Sequence, residues 1–233
     1  MSLRRFLQEP AAPPPQRCEM CATEVPPEHP HLVQVAERRM LCVCGPCGFL
    51  FDNPGAGGGG YRRVPDRYLV DEEFALSDAQ WDALQVPVGI AFFLHNSARD
   101  AIVACYPSPA GATESELELE AWSSGVGASA LAGELGQDVE ALLVRRDGSH
   151  GDAGRAGGEC LLVPIDACYH LVGLVRMHWR GFDGGTEAWR AIDGYFDEVR
   201  ARARVLQRRA GAARSVGLEE RSPTARLRLQ TGG

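Results

Sequence analysis

Apolar positions change their rhythm along this chain. Residues 88–94 (VGIAFFL) and 101–106 (AIVACY) are compact apolar runs separated by a short polar loop. That pattern predicts a β-hairpin buried on both faces. Residues 139–144 and 160–165 predict a second strand pair, joined by a glycine-rich loop at 148–158. Further on, the spacing lengthens to three and four. Cys168, Leu171, Val172, Val175 and Trp179 would share one helical face, with Asp166 placed to cap it. Arg180 to Gly185 interrupts the pattern, and Thr186 can cap a longer helix. Its stripe is Trp189, Ile192, Phe196, Val199, Ala203 and Leu206. That stripe must cover either the protein's own sheet or a partner helix. Ahead of these elements, Ser77 starts a short helix at 77–84. The sum is a mixed α+β body over 61–208 that ends in two helices.

No such rhythm organises the first sixty residues. Residues 1–16 read as a flexible, proline-rich leader. Residues 17–54 form a cysteine-rich module, and the glycine run at 55–60 reads as a linker. Within the module the spacing is Cys18-x-x-Cys21 and then Cys42-x-Cys44-x-x-Cys47. Two Cys-x-x-Cys pairs can give four thiolates to one tetrahedral ion, and zinc suits four sulfurs. The expected ligands are Cys18, Cys21, Cys44 and Cys47. Cys42 is the alternate, either replacing Cys44 or filling the strand as a small buried residue. His29 and His31 are possible substitutes in a proline-rich loop. Arg38 to Val43 reads as a strand entering the second knuckle, and Gly48 to Phe51 as the start of a short helix. Knuckle, hairpin, knuckle and short helix together give a zinc-ribbon or treble-clef-like layout. So small a module has little besides a metal to hold it. Nothing near Cys44 or Cys47 supplies a catalytic base, so the ion reads as structural zinc. The same thiolates could hold iron as in rubredoxin.

Charge narrows the function classes. The net charge is −7, and all 24 basic residues are arginine. Eight of those arginines, against two glutamates, lie in 201–233, which makes that end +6 and the remainder −13. An acidic body argues against nucleic-acid binding. The tail at 209–233 reads as loosely ordered. Arg4-Arg5 lacks the apolar stretch of an export signal, and no run is long enough to span a bilayer. The expectation is a cytoplasmic chain with reduced thiols.

Other motifs carry less. The glycine run lacks the Lys-Ser/Thr of a phosphate loop. Thr113 and Glu116 have capping-box spacing within a Pro- and Gly-rich stretch that could be a ligand loop. Glu114, Glu116, Glu118 and Glu120 alternate as a solvated edge would. His95, His170 and His178 form no recognisable triad, and Cys105, Cys160 and Cys168 read as core.

Several segments are similar to an uncharacterised family of actinobacterial proteins often encoded beside [NiFe]-hydrogenase genes. They are CEMC, LCVCGPC, GAGGGGYRRVPDRYL, SDAQWDALQVPVGIAFF, YPSPAGATESEL and VPIDACYHLVGLVRMHWRGFDGGTEAWRAID, spanning residues 17–205. The resemblance implies an accessory or assembly role around a nickel-iron enzyme, with a hydrogenase subunit or maturation factor as protein partner. It assigns no activity to any residue. The expectation is therefore a non-enzymatic, zinc-binding accessory protein. The rivals are a rubredoxin-like iron electron carrier and a treble-clef nuclease. The nuclease would need a histidine or asparagine where Gly48 stands.

Overall fold

A computed structural model describes residues 15–53, 55–146 and 158–207. The arginine-rich tail lies outside the described residues, as do the leader and the 148–158 loop but for residues 15, 16 and 158.

The chain is α+β. Among the described residues its main sheet has seven strands in the order β10-β4-β9-β8-β5-β6-β7. The two hairpins read from the apolar runs form its centre: β5 (Ile90–Asn96) with β6 (Ala101–Ser108), and β8 (Glu140–Arg145) with β9 (Glu159–Pro164). β5 also pairs antiparallel with β8, which joins the hairpins. The side-chain alternation of a strand explains why both faces are apolar. Phe92, Leu94, Leu143, Leu161 and Val163 face one core, while Ala91, Phe93, Leu142, Val144 and Leu162 face the other. Two-residue strands, β4 (Leu69–Val70) and β10 (Arg204–Val205), extend one edge, with β10 parallel to β4.

α4 (Ile165–His178) and α5 (Gly185–Arg202) share the first core. Leu171, Val172 and Val175 of α4 and Ile192, Phe196 and Val199 of α5 are buried there, so the long stripe covers the protein's own sheet. α2 (Asp78–Ala83) and α3 (Leu119–Ser124), with the turns that follow, cover the other face through Trp81, Leu84, Val126 and Leu131. Ser77 caps α2 in a full capping box with Gln80.

Three local readings are corrected. Asp166 does not cap α4: Pro164 holds the cap position, and Asp166 lies in the first turn with its carboxylate accepting from Ala167 N–H at 2.8 Å. Gly184, at φ 85°, precedes α5 in place of Thr186, because the reversal from Trp179 needs left-handed backbone. Thr113 caps nothing. Gly111–Ser115 is β7, antiparallel to β6 at the sheet's other edge.

A second sheet, β2-β1-β3, is built from β1 (His31–Gln34), β2 (Arg39–Cys42) and β3 (Tyr61–Arg63). The glycine run is a 3-10 turn over Ala56–Gly59 that feeds β3, which pairs with β1, so this sheet extends past the run. It leans on the body through Val33 and Val64, which enter the core beneath α4. Arg38 pairs with Glu114 at 2.6 Å, and Arg62 with the buried Asp138 at 3.2 Å. Among the described residues no helix is long and apolar enough to cross a membrane.

Candidate metal centre

The first knuckle is a tight turn closed by an antiparallel bridge between Arg17 and Glu24. Cys18 N–H bonds Thr23 O at 2.7 Å, and Ala22 N–H bonds Cys18 O at 2.8 Å, with Ala22 at φ 63°. The second knuckle leaves β2 at Cys42. Cys44 takes the N-cap position of α1 (Gly45–Phe49), and Pro46 opens the helix where a missing N–H costs nothing. The short helix therefore begins at Gly45 and carries Cys47, three residues ahead of the start expected at Gly48. Gly48 N–H closes the turn onto Cys44 O at 2.9 Å. A side chain at Gly48 would press on Pro30, since an added Cβ would lie 3.2 Å from that ring.

These turns bring Cys18, Cys21, Cys44 and Cys47 together, with sulfurs within 4.8 Å of one another. Cys21 Sγ and Cys44 Sγ are 3.6 Å apart. Zinc–sulfur bonds of about 2.3 Å at tetrahedral angles place sulfurs about 3.8 Å apart, so the cluster fits one ion. The four expected ligands are thus the four that the fold assembles. Cys18 is buried in a small core with Val25, Leu32, Leu41 and Val43, while Cys21 is exposed.

The thiols are tuned unequally. Burial pushes Cys18 up, but backbone N–H groups of Cys44, Cys21 and Met20 directed at its sulfur outweigh burial and leave it lowered. The Thr23 hydroxyl, helped by the Thr23 N–H, draws Cys21 down to about 6. Neighbouring thiols, Cys44 first, push Cys47 up to about 12. A cation bound among the four sulfurs would favour their thiolate forms. The set could hold one metal ion, closed on all four sides by sulfur.

Cys42 does not join the four. It lies with His29 and His31, the ligand atoms of these three also within 4.8 Å of one another. Burial, with the Glu19 carboxylate nearby, pushes its thiol up. Neither histidine substitutes in the sulfur cluster, and His31 sits in β1 rather than in a loop. No sequence signal placed these three residues together, because the contact depends on the pairing of His31 with Cys42 across β1 and β2. Cys105, Cys160 and Cys168 are buried core thiols, as read. His95 meets Asp100, His178 meets Glu187, and His170 stacks edge-on against Tyr195.

A cleft of about 1420 Å³ opens beside the small sheet. Its walls include His29, His31, Arg62, Asp166 and His170.

Over residues 17–203 the chain matches DUF5947, a family of unknown function, and it belongs to that family. No curated protein and no solved structure is similar to it.

Proposed function

We propose that this chain is a non-enzymatic, zinc-stabilised accessory protein of the cytoplasm that docks on another protein, with a [NiFe]-hydrogenase component as the partner. The observation that carries the docking reading is an apolar surface on the two knuckles. Met20 is 42% exposed, Phe49 65% and Leu50 67%. Such side chains, exposed on the turns that carry the cysteines, suit a contact surface. Zinc is supported by the donor set, since four thiolates at tetrahedral spacing suit an ion with no geometric demand of its own. The order of knuckle, hairpin, knuckle and short helix supports a treble-clef-like module. Its closed sulfur set leaves no position for substrate, so the ion holds the surface in shape. The partner's identity rests on the resemblance to actinobacterial proteins encoded beside hydrogenase genes.

The test is affinity capture from a hydrogenase-expressing host, paired with metal analysis of the protein as purified. One zinc in a colourless protein and recovery of a hydrogenase component are expected, with recovery lost in Phe49→Ser/Leu50→Ser. Capture without any hydrogenase component sinks the partner assignment. A red, iron-loaded protein would sink the zinc assignment.

A further inference from the structure

We propose that His29, His31 and Cys42 form a second zinc site, distinct in its ligands from the four-sulfur cluster and beside the neighbouring cleft. The inference goes beyond the docking reading and does not rest on it.

The three residues meet through strand geometry. His31 stands opposite Cys42 in the antiparallel pairing of β1 with β2, and cross-strand partners are close neighbours on one face. His29 precedes His31 by two residues, and its ring centre lies 4.8 Å from that of His31. Their three ligand atoms lie within 4.8 Å of one another. Tetrahedral zinc with nitrogen and sulfur ligands needs donors about 3.3–3.8 Å apart, so a small closing movement seats an ion.

Hydrogen-bond partners indicate which atoms would face that ion. His29 Nδ1 is 2.8 Å from the carbonyl oxygen of Pro26. A carbonyl only accepts, so Nδ1 carries a proton, and in the neutral ring Nε2 then holds a lone pair. That Nε2 is buried and has no hydrogen-bond partner among the described residues. A buried, unpartnered imidazole nitrogen is costly unless something takes its lone pair. His31 repeats the arrangement: its Nδ1 is 2.8 Å from Asp166 Oδ2, at the first turn of α4. Metal-ligating histidines are commonly held this way, with the second nitrogen donating to a carbonyl or a carboxylate. Cys42 Sγ accepts from Gln16 Nε2 at 3.1 Å.

Ligand chemistry selects the ion. Imidazole suits zinc, copper, iron and nickel; thiolate suits copper(I), zinc and iron–sulfur clusters. For a mononuclear site that is stable in the divalent state, the two lists overlap at zinc. Three protein ligands leave one tetrahedral position vacant, as in sites that bind water or an exchangeable ligand. His29, His31 and Asp166 all line the cleft, so that position faces the space from which a ligand would arrive.

The test uses the full chain, equilibrated with excess zinc and then dialysed, with zinc counted per chain. Two equivalents are expected for the wild type and one for His29→Gln and for Cys42→Ser, each with unchanged circular dichroism. Cobalt gives an independent readout. The first equivalent should show the intense charge-transfer bands of four thiolates, the second a weaker single-thiolate band that His29→Gln abolishes. Asp166→Asn should weaken the second ion about 10–100-fold and leave the first untouched. A wild type that holds one zinc overturns the proposal. So does a second equivalent that survives both substitutions.

Discussion

Replacing Arg67 by alanine should cost about 3 kcal/mol of folding stability. Arg67 follows β3 and reaches the buried end of β8. Its Nε donates to Glu140 Oε1 at 2.9 Å and its Nη2 to Glu140 Oε2 at 2.7 Å. This is the two-pronged geometry that suits guanidinium and carboxylate best. The Glu140 side chain is only 3% exposed, whereas Arg67 is 39% exposed. With the guanidinium gone, Glu140 keeps the Gly136 N–H at 2.9 Å as its remaining donor. Leaving one member of a buried pair behind costs about 3–5 kcal/mol, and water entering from the arginine's open side favours the lower end. Glu140→Gln, which removes the charge as well, should cost only about 1–2 kcal/mol. The double substitution should be no less stable than Arg67→Ala alone, because no unpaired charge remains buried. Urea unfolding of the metal-loaded chain, followed by tryptophan fluorescence, measures all three at constant slope. A loss below about 1 kcal/mol for Arg67→Ala, or simple addition of the two single effects, would refute the reasoning.

Other consequences follow from the same structure. Arg38 holds the Glu114 carboxyl below its ordinary 4.5, with Arg99 assisting. The pair's contribution is therefore present above about pH 4.5 and fades as pH falls through the lower folded value. Both groups are partly exposed, so Glu114→Gln should cost under about 1 kcal/mol at neutral pH, less in high salt, and nothing at low pH. A gap between the two denaturation profiles that persists in acid would contradict this. Gly184→Ala should cost about 1–3 kcal/mol, read as a lower thermal midpoint, because φ is 85° and the new Cβ would lie 2.9 Å from the Trp179 ring. An unchanged midpoint would mean that this turn relaxes freely. Cys44→Ser should abolish binding of the sulfur-site ion and unfold the small sheet while the seven-stranded sheet survives. Hydrogen exchange that stays slow in β1 and β2 of that variant would show that the metal does not hold the module.

What could be read in advance depended on how local its cause was. The central strands announced themselves because they are buried on both faces and therefore uniformly apolar. α4 and α5 did so through stripes long enough to show a helical period. Ser77 and Gln80 cap α2 within four residues, so their pattern is complete in the sequence. β7 was misread because an edge strand has little to bury. Thr113, three residues ahead of Glu116, matches a capping box as well as a strand, and only pairing with β6 decides between them. β4 and β10 have two residues each and no period at all. The grouping of Cys18, Cys21, Cys44 and Cys47 was legible because each Cys-x-x-Cys is itself a local turn. The association of His29, His31 and Cys42 was not. It depends on the register between β1 and β2, and the connection through Glu37 and Arg38 carries no Asn-Gly or Asp-Gly signal to set that register. Arg38 adopts φ 53° there without glycine. Asp166 lies 135 residues from the histidine it meets, a distance at which no local pattern speaks.

The two ligand sets share a scaffold but depend on it unequally. Cys42 and Cys44 are separated only by Val43, which is fully buried and whose N–H bonds Pro30 O at 3.0 Å. The first knuckle reaches the same place. Glu19 N–H donates to Cys42 O at 2.9 Å, and the Glu19 carboxylate accepts from Cys42 N–H at 2.9 Å. Arg39 holds that carboxylate from its other oxygen. An ion bound by the four sulfurs would fix both knuckles and, through Glu19 and Val43, the backbone that presents Cys42. The dependence does not run backwards. His29 and His31 are oriented by Pro26 and by Asp166 of α4, neither of which belongs to a knuckle. Filling the sulfur site would therefore help shape the imidazole–thiolate set, whereas emptying the latter would leave the sulfur site whole. One ion with four protein ligands would be retained, while an ion with three, facing the cleft, would exchange its fourth ligand.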